Sequence, residues 1–294
     1  MERTAQNTEI GFIGTGVMGQ SMAGHLMKKG FKLHLYSRTK SKAEPLLSQG
    51  AEWHDSPASL ARKSNVVITM VGYPQDVEEV YLGEQGVIRN AQTGSLLIDM
   101  TTSSPSLAKR IEREAQERGM LSLDAPVSGG DVGAREARLS IMVGGSREAF
   151  EEVAHLLSIM GTNIVHQGAA GSGQYTKMCN QIAIASNMMG VCEALIYAEK
   201  AGLDPSTVLK SIESGAAGSW SLSNLAHRII KGDYAPGFYV KHFIKDMQIA
   251  LNSAEEMNLK LPGLALARSL YEQLAQMGEE NSGTQALFKV LQKL

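Results

Sequence analysis

Short apolar runs alternate with stretches of helical spacing through the first half of the chain. Strand-like segments recur at 10–13, 32–36, 66–71, 96–99, 121–124 and 139–143, with helical stretches between most of them. Alternation of this kind predicts a mostly parallel, doubly wound α/β sheet with helices on both faces. After Gly173 the pattern changes to helix alone. One apolar-rich helical run covers 178–202, and further helices are expected at 205–213, 221–231, 241–257, 263–277 and 284–294, with Pro205, Pro236 and Pro262 marking the turns. The expected division is an α/β domain over 1–168 and an all-α domain over 169–294, opened by a long helix from 174 to 202 that acts as a spine between them. Its segment 183–201 reads as apolar nearly all round. A helix of that kind is buried on more than one side, either inside its own bundle or against a second subunit. The second case leads to the expectation of a homodimer or homotetramer.

The earliest chemical signal lies between the first strand and the first helix, in Gly11-Phe-Ile-Gly14-Thr15-Gly16-Val17-Met18-Gly19. Gly14-x-Gly16-x-x-Gly19 is weak as a bare pattern, but here it falls at a strand-to-helix turn and is followed by a second strand. The first glycine permits the tight turn, the second lets a pyrophosphate approach, and the third packs helix on strand. The helix N-terminus adds unpaired N–H groups and the positive end of its dipole. Gly14, Thr15, Gly16, Val17, Met18 and Gly19 are therefore candidate cofactor contacts in a Rossmann-type fold, as are Met70 and Val71 at the end of the 66–71 strand.

The second strand runs into Ser37-Arg38-Thr39, with Lys42 close behind. A fold that prefers NAD usually places an acidic residue here to accept from the ribose 2′-OH. Arg38 instead offers a planar fork that matches phosphate oxygens. The reading is NADP(H) ahead of NAD(H), through Ser37, Arg38, Thr39 and Lys42; the competing reading is a solvated basic turn.

At the domain boundary stands Gly168-Ala-Ala-Gly171-Ser-Gly173-Gln-Tyr-Thr-Lys177-Met-Cys-Asn180. Lys177 and Asn180 are three residues apart and project together from a helix. Gly168, Gly171 and Gly173 are expected to leave the approach free of side chains, so that a ligand can reach the backbone. A lysine so placed is an anion anchor or a proton donor; alone, it would read as a solvated helical lysine.

Other constellations are more ambiguous. Asp124-Ala-Pro-Val-Ser128-Gly129-Gly130 follows a strand, at the carboxyl edge where doubly wound sheets bind ligands. Ser128 and the two glycine N–H groups suit a carboxylate, or form a plain turn. In Thr101-Thr102-Ser-Ser-Pro105, hydroxyls could face a cofactor, while Ser104 reads as a helix cap with Pro105 at N1. Lys241 and Lys245 share a helical face whose default reading is solvation. Trp220 either limits the length of a substrate pocket or packs within its own domain.

Composition narrows the classes. The chain has 294 residues, 43% of them hydrophobic and 20% charged, with a formal net charge of −2. Such a balance offers no bulk attraction for nucleic acid or an anionic membrane. No run approaching about 18 apolar residues is visible, and the N-terminus lacks a signal-peptide core. A cytoplasmic protein without membrane or nucleic-acid partners is expected. Cys179 and Cys192 are the two cysteines, too far apart on one helix for a disulfide and without zinc-ligand spacing. Both read as small buried apolar residues, and no metal is expected.

Taken together, the blocks GFIGTGVMG, DAPVSGG, GxxGxGxxxKxxN and Lys245-Asp246 resemble the β-hydroxyacid dehydrogenase family, over nearly the whole chain. Its members include 3-hydroxyisobutyrate dehydrogenases, tartronate semialdehyde reductases and glyoxylate/succinic semialdehyde reductases. The resemblance implies that Lys177 is the catalytic acid/base and that Ser128, Gly129, Gly130 and Asn180 hold the substrate. It also implies that Thr102 and Lys245 touch the cofactor near its nicotinamide end. Phe238 and the Lys241-His242/Lys245-Asp246-Met247 segment look like the glyoxylate/succinic semialdehyde branch, which adds Phe238 and Asp246 as substrate contacts. Asn180-Gln181 is instead like the tartronate semialdehyde reductases. The implied activity is hydride transfer between NADP(H) and a small carboxylate-bearing semialdehyde or hydroxy acid. Rival readings are a reductase of neutral carbonyls or imines, a catalytically silent NADP-binding protein, and a 6-phosphogluconate-type decarboxylating dehydrogenase. The last is disfavoured by a short helical portion.

Overall fold

The computed structural model describes residues 3–294; Met1 and Glu2, the start of the polar N-terminus, lie outside them. The chain divides into two compact units, Met1–Lys177 and Met178–Leu294.

The first unit is built on a nine-stranded sheet. Its strands are β1 Glu9–Ile13, β2 Lys32–Tyr36, β3 Glu52–Trp53, β4 Val66–Thr69, β5 Leu96–Asp99, β6 Leu121–Asp124, β7 Val127–Ser128, β8 Leu139–Gly145 and β9 Gly161–Gly168. They lie in the order β3-β2-β1-β4-β5-β6-β8-β7, with β9 paired to β8. The pairs from β3 to β6 are parallel, and β8 runs antiparallel to β6 and β7. The central strands are buried on both faces, which is why they read as nearly continuous apolar runs. Ile10, Phe12, Val66, Ile68, Leu96 and Ile98 pack on one side with Met22 and Leu26, whereas Ile13, Val67 and Leu97 pack on the other with Leu60, Tyr81 and Ile111. Strand order reverses between β1 and β4, so the crevice that opens there faces the carboxyl ends of the strands.

Helix ends follow their local chemistry. The Val17–Lys28 helix stops at Lys29 and Gly30, whose φ of +87° supplies the left-handed residue such an ending needs. Ser104 caps the Pro105–Gln116 helix by accepting from Leu107 N at 3.2 Å, as expected.

Three strands depart from the expected set. β3 and β7 are two residues each, and β9 (GTNIVHQG) alternates exposed and half-buried positions along most of its length. None of the three has the continuous apolar signature of the central strands. The expected 66–71 strand ends at Thr69, so Met70 and Val71 belong to the turn beyond it.

The second unit is helical. The long helix spans Ser172–Lys200, starting before the expected 174. Its buried positions within this unit, Met178, Gln181, Ala185, Met188, Val191, Cys192, Leu195 and Ala198, form a single stripe at helical spacing. Ala183, Ser186, Gly190 and Tyr197 are exposed, so within its own unit the helix is buried on one side. By length and composition this helix could cross a membrane, contrary to the reading that no such run exists; one buried stripe packs it into the helical unit.

Further along, the expected 221–231 helix is broken into Trp220–Asn224 and Ala226–Ile230. Pro262–Leu274 passes into a wider turn at Ala275–Glu279, where Gly278 adopts a φ of +82°. The C-terminal stretch is a 3-10 turn, Thr284–Leu287, followed by Phe288–Leu291. Cys192 is buried as expected, but Cys179 is exposed.

Candidate active site

β1 delivers the chain into the glycine turn with no room for side chains. A Cβ on Gly14 would lie 2.1 Å from the Met70 carbonyl oxygen, and one on Gly19 would lie 2.0 Å from that of Gly14. Gly14 also has a φ of +98°, and its N–H donates to the Tyr36 carbonyl at 2.8 Å. Around the Cβ position of Gly16, by contrast, there is open space. Two of the three glycines thus pack the turn, while the middle one keeps its outer face clear. The Val17–Lys28 helix starts at Gly16 without a side-chain cap and without an acidic residue in its first turn. Its leading N–H groups are therefore available to an anion. Thr15 is buried, and its Oγ1 has no hydrogen-bond partner. An open glycine, an uncapped helix start and an orphaned hydroxyl fit a dinucleotide pyrophosphate.

The turn beyond β2 holds Arg38, whose side chain is exposed and forks onto Asp76 at 2.9 and 3.4 Å. Asp76 also accepts from Tyr73 N at the start of the Pro74–Leu82 helix. A carboxylate thus holds the guanidinium over the turn, a contact between residues 38 apart that reading along the chain did not reveal. Ser37 is half-buried, and Thr39 and Lys42 are exposed.

Two buried side chains tie the carboxyl ends of β5 and β6 to the start of the long helix. Gln174 accepts from Ser103 N at 2.9 Å and donates to the Thr101 carbonyl at 2.8 Å. Thr101 Oγ1 accepts in turn from Val71 N at 3.0 Å. Thr102 therefore sits in a loop clamped from both sides. Asp124, the last residue of β6, accepts from Gly171 N at 2.7 Å and Gln174 N at 2.8 Å. A carboxylate at that position satisfies leading donors of a 29-residue helix and complements its dipole. Burial nevertheless pushes the Asp124 carboxyl up to about 6, against the pull of its backbone donors.

The glycines here serve a different purpose from the expected one. A Cβ on Gly173 would meet the Asp124 and Met142 carbonyl oxygens at 2.4 Å, and one on Gly144 would meet Asp124 Oδ1 at 2.4 Å. Gly171 has a φ of +87° and would press on Pro105 O and Lys109 at 3.1 Å, while Gly168 has a φ of +130° and faces Ser172. Gly171 and Gly173 let the helix start close on Asp124 rather than leaving space for a ligand. One turn after Gln174, Lys177 is buried, with 7% of its surface exposed. Ser128 is half-buried at the end of β7. Gly129 and Gly130 follow with φ values of +134° and +63°, conformations that suit glycine and expose backbone.

Within the helical unit, Asn180 donates to Gln181 Oε1 at 2.7 Å, and Gln181 donates to Asp246 Oδ2 at 2.6 Å. Lys245 Nζ lies 2.8 Å from Asp246 Oδ1. Asp246 is 1% exposed and pairs with both Gln181 and Lys245. Nor is Lys245 part of a solvated basic face: its side chain is largely buried in that ion pair. Lys241 instead reaches Asn281 at 2.8 Å. Phe238 packs against Phe243, with ring centroids 5.7 Å apart. Trp220 is 67% exposed, which does not fit packing within its own unit.

Family models match nearly the whole chain. Residues 9–168 match the family described as the NAD binding domain of 6-phosphogluconate dehydrogenase. Residues 171–291 match the NAD-binding family of NADP-dependent 3-hydroxyisobutyrate dehydrogenase. The chain belongs to the β-hydroxyacid dehydrogenase family. This β-hydroxyacid dehydrogenase is an NAD(P)-dependent oxidoreductase. It is 61% identical to an uncharacterized oxidoreductase, YkwC, of Bacillus subtilis, over 96% of this chain and 98% of that one. With the 2-hydroxy-3-oxopropionate reductase of Escherichia coli it shares 39% identity, over 97% of each chain. Among solved structures, the 3-hydroxyisobutyrate dehydrogenase of Mycobacterium tuberculosis with L-serine superposes with a TM-score of 0.90 at 29% identity, covering 97% of this chain and 99% of that one.

Proposed function

We propose that this enzyme reduces a small carboxylate-bearing semialdehyde with NADPH, and oxidises the corresponding hydroxy acid in reverse, with Lys177 as general acid/base. The observation that carries the reading is a buried lysine on the helix turn that Gln174 and Asp124 clamp to the carboxyl ends of β5 and β6. A lysine buried there lies beside the carboxyl ends of the strands, where doubly wound sheets bind their ligands. The bound nicotinamide supplies or accepts the hydride. Lys177 gives its proton to the carbonyl oxygen as that oxygen gains charge, and takes it back from the hydroxyl in the reverse direction. Asn180, one turn further along the same helix, orients that oxygen and stabilises its charge. The half-buried Ser128 and the N–H groups of Gly129 and Gly130 hold the substrate carboxylate and fix which face of the carbonyl is presented.

Succinic semialdehyde and butanal differ in the carboxylate and separate this reading from a reductase of neutral carbonyls. NADPH oxidation measured with each should give a much larger kcat/KM for the acid, and Ser128→Ala should raise KM for it with little change in kcat. Equal kcat/KM for the two aldehydes would overturn the anion site.

NADPH preference rests on Arg38 and on the absence of an acidic residue at the end of β2. Arg38→Ala should raise KM for NADPH far more than for NADH, because it removes a phosphate contact alone. Asp76→Asn adds a direction: with its carboxylate partner neutralised, Arg38 is freer to turn to the phosphate, and KM for NADPH should fall. Steady-state kinetics with both cofactors checks both variants, and a wild-type enzyme indifferent to the 2′-phosphate would end the argument.

A further inference from the structure

On one face of the β2–β3 edge pair, three possible metal ligands meet. His34 and Glu52 are register partners across β2 and β3, and His54 follows Glu52 by two residues, so all three side chains share one face of the sheet. His54 N donates to the Leu35 carbonyl at 2.8 Å, which holds it in the continuation of that pairing. His34 Nδ1 lies 2.9 Å from His54 Nε2 and 3.4 Å from Glu52 Oε2, and one ligand atom from each residue falls within 4.8 Å of the others.

Glu9 fixes the far side of the His34 ring. His34 Nε2 lies 2.9 Å from Glu9 Oε2, and an ionised carboxylate only accepts, so Nε2 carries a proton; Nδ1 faces His54 Nε2, and the proton that one of those two nitrogens donates to the other is the one a metal ion would displace. A carboxylate behind one ring nitrogen, with the other turned to a cluster of donors, is the arrangement that orients and strengthens a histidine metal ligand. His34 itself is buried, with 6% of its surface exposed, whereas Glu52 is exposed and His54 half-buried, so the cluster opens outward.

We propose that His34 Nδ1, His54 Nε2 and the Glu52 carboxylate form a binding site for one divalent transition-metal ion, zinc being the best fit, with water completing the coordination. At metal–nitrogen distances of about 2.0–2.1 Å, the two ring nitrogens as they stand subtend about 90° at a shared ion, and Nδ1 with Glu52 about 110°. Opening the first angle toward a tetrahedron requires the half-buried His54 ring to move by less than about 0.5 Å. Two imidazoles and one carboxylate are a donor set that zinc, nickel and copper accept and that magnesium and calcium do not favour. Lys32 and Lys63 line the same depression and oppose a cation, although Lys32 is paired with Glu9 at 3.1 Å. Bound there, the ion would pin β3, the two-residue edge strand, to β2. On β1 the residue beside His34 is Gly11, ahead of the glycine turn, and none of the three ligands is among the candidate cofactor contacts.

Zinc titration of the untagged, chelator-treated full-length enzyme, followed by isothermal calorimetry, tests the proposal. A Cys179→Ser background removes the exposed thiol as a competing ligand. One equivalent should bind, and His54→Ala and Glu52→Ala should each weaken binding by about tenfold or more. Both substituted residues are accessible and outside the cofactor turn, so circular dichroism and NADPH affinity should be unchanged in the variants. Zinc should also raise the melting temperature of the parent and not that of His54→Ala, since a ligand that binds only the folded state stabilises it. Absence of stoichiometric zinc binding in the parent, or equal binding in both variants, would overturn the site.

Discussion

Replacing Lys177 by methionine is expected to lower kcat for semialdehyde reduction by about 10²–10⁴-fold, the usual loss when a general acid is removed. Methionine keeps an apolar stem of similar length in a position that is 7% exposed, so the fold should survive the change. NADPH affinity, read by quenching of protein fluorescence, should be nearly unaltered, because the lysine acts on the substrate oxygen. Both kcat and kcat/KM should fall together, the signature of an interaction made mainly in the transition state. Retention of more than half the parent kcat would remove Lys177 from the chemistry. Parallel loss of NADPH binding would instead make it a cofactor anchor.

Asp124→Ala should be the most destabilising single change near the site. It leaves the buried N–H groups of Gly171 and Gln174 without an acceptor, each costing about 1–3 kcal/mol. For a unit of this size, about 2–4 °C of melting temperature is lost per kcal/mol. The milder Asp124→Asn separates charge from shape, and its comparison with the parent carries a pH signature. Burial raises the folded-state value to about 6, whereas an unfolded aspartate titrates near about 3.9. Between those values the folded chain holds a proton that the unfolded chain has released. The stabilisation from protonated Asp124 is therefore fully present below about pH 4 and is lost as pH rises to about 6. The stability difference, parent minus Asp124→Asn, should fall across that window and level off above it in calorimetric scans. A difference that rises instead would show that the backbone donors outweigh burial and hold the carboxylate ionised.

What was legible along the chain was what is local. The six apolar-rich segments were visible because strands buried on both faces are mostly apolar. Gly14, Gly16 and Gly19 could be assigned to a turn, and Ser104-Pro105 to a helix start, because their partners lie within a few residues. The resemblance to β-hydroxyacid dehydrogenases rested on such blocks and their order. The edge strands β3, β7 and β9 were missed because they have little apolar surface to bury and are held by pairing with a neighbour.

Tertiary structure alone decided what the polar side chains do. Asp124 stood in view within DAPVSGG, but its partners are 47 and 50 residues away, and only the folded chain makes it the cap of the long helix. Gln174 was passed over beside three glycines, yet it staples a loop 71 residues upstream. Asp76 meets Arg38, Asp246 meets Gln181 across 65 residues, and His34 meets His54 across two strands, none with a periodicity to betray it. Burial of apolar surface writes a repeat into the sequence because every turn of helix or pair of strand residues faces the core once. A hydrogen bond or ion pair needs one partner at one place, and that place exists only after the sheet has brought distant strand ends together.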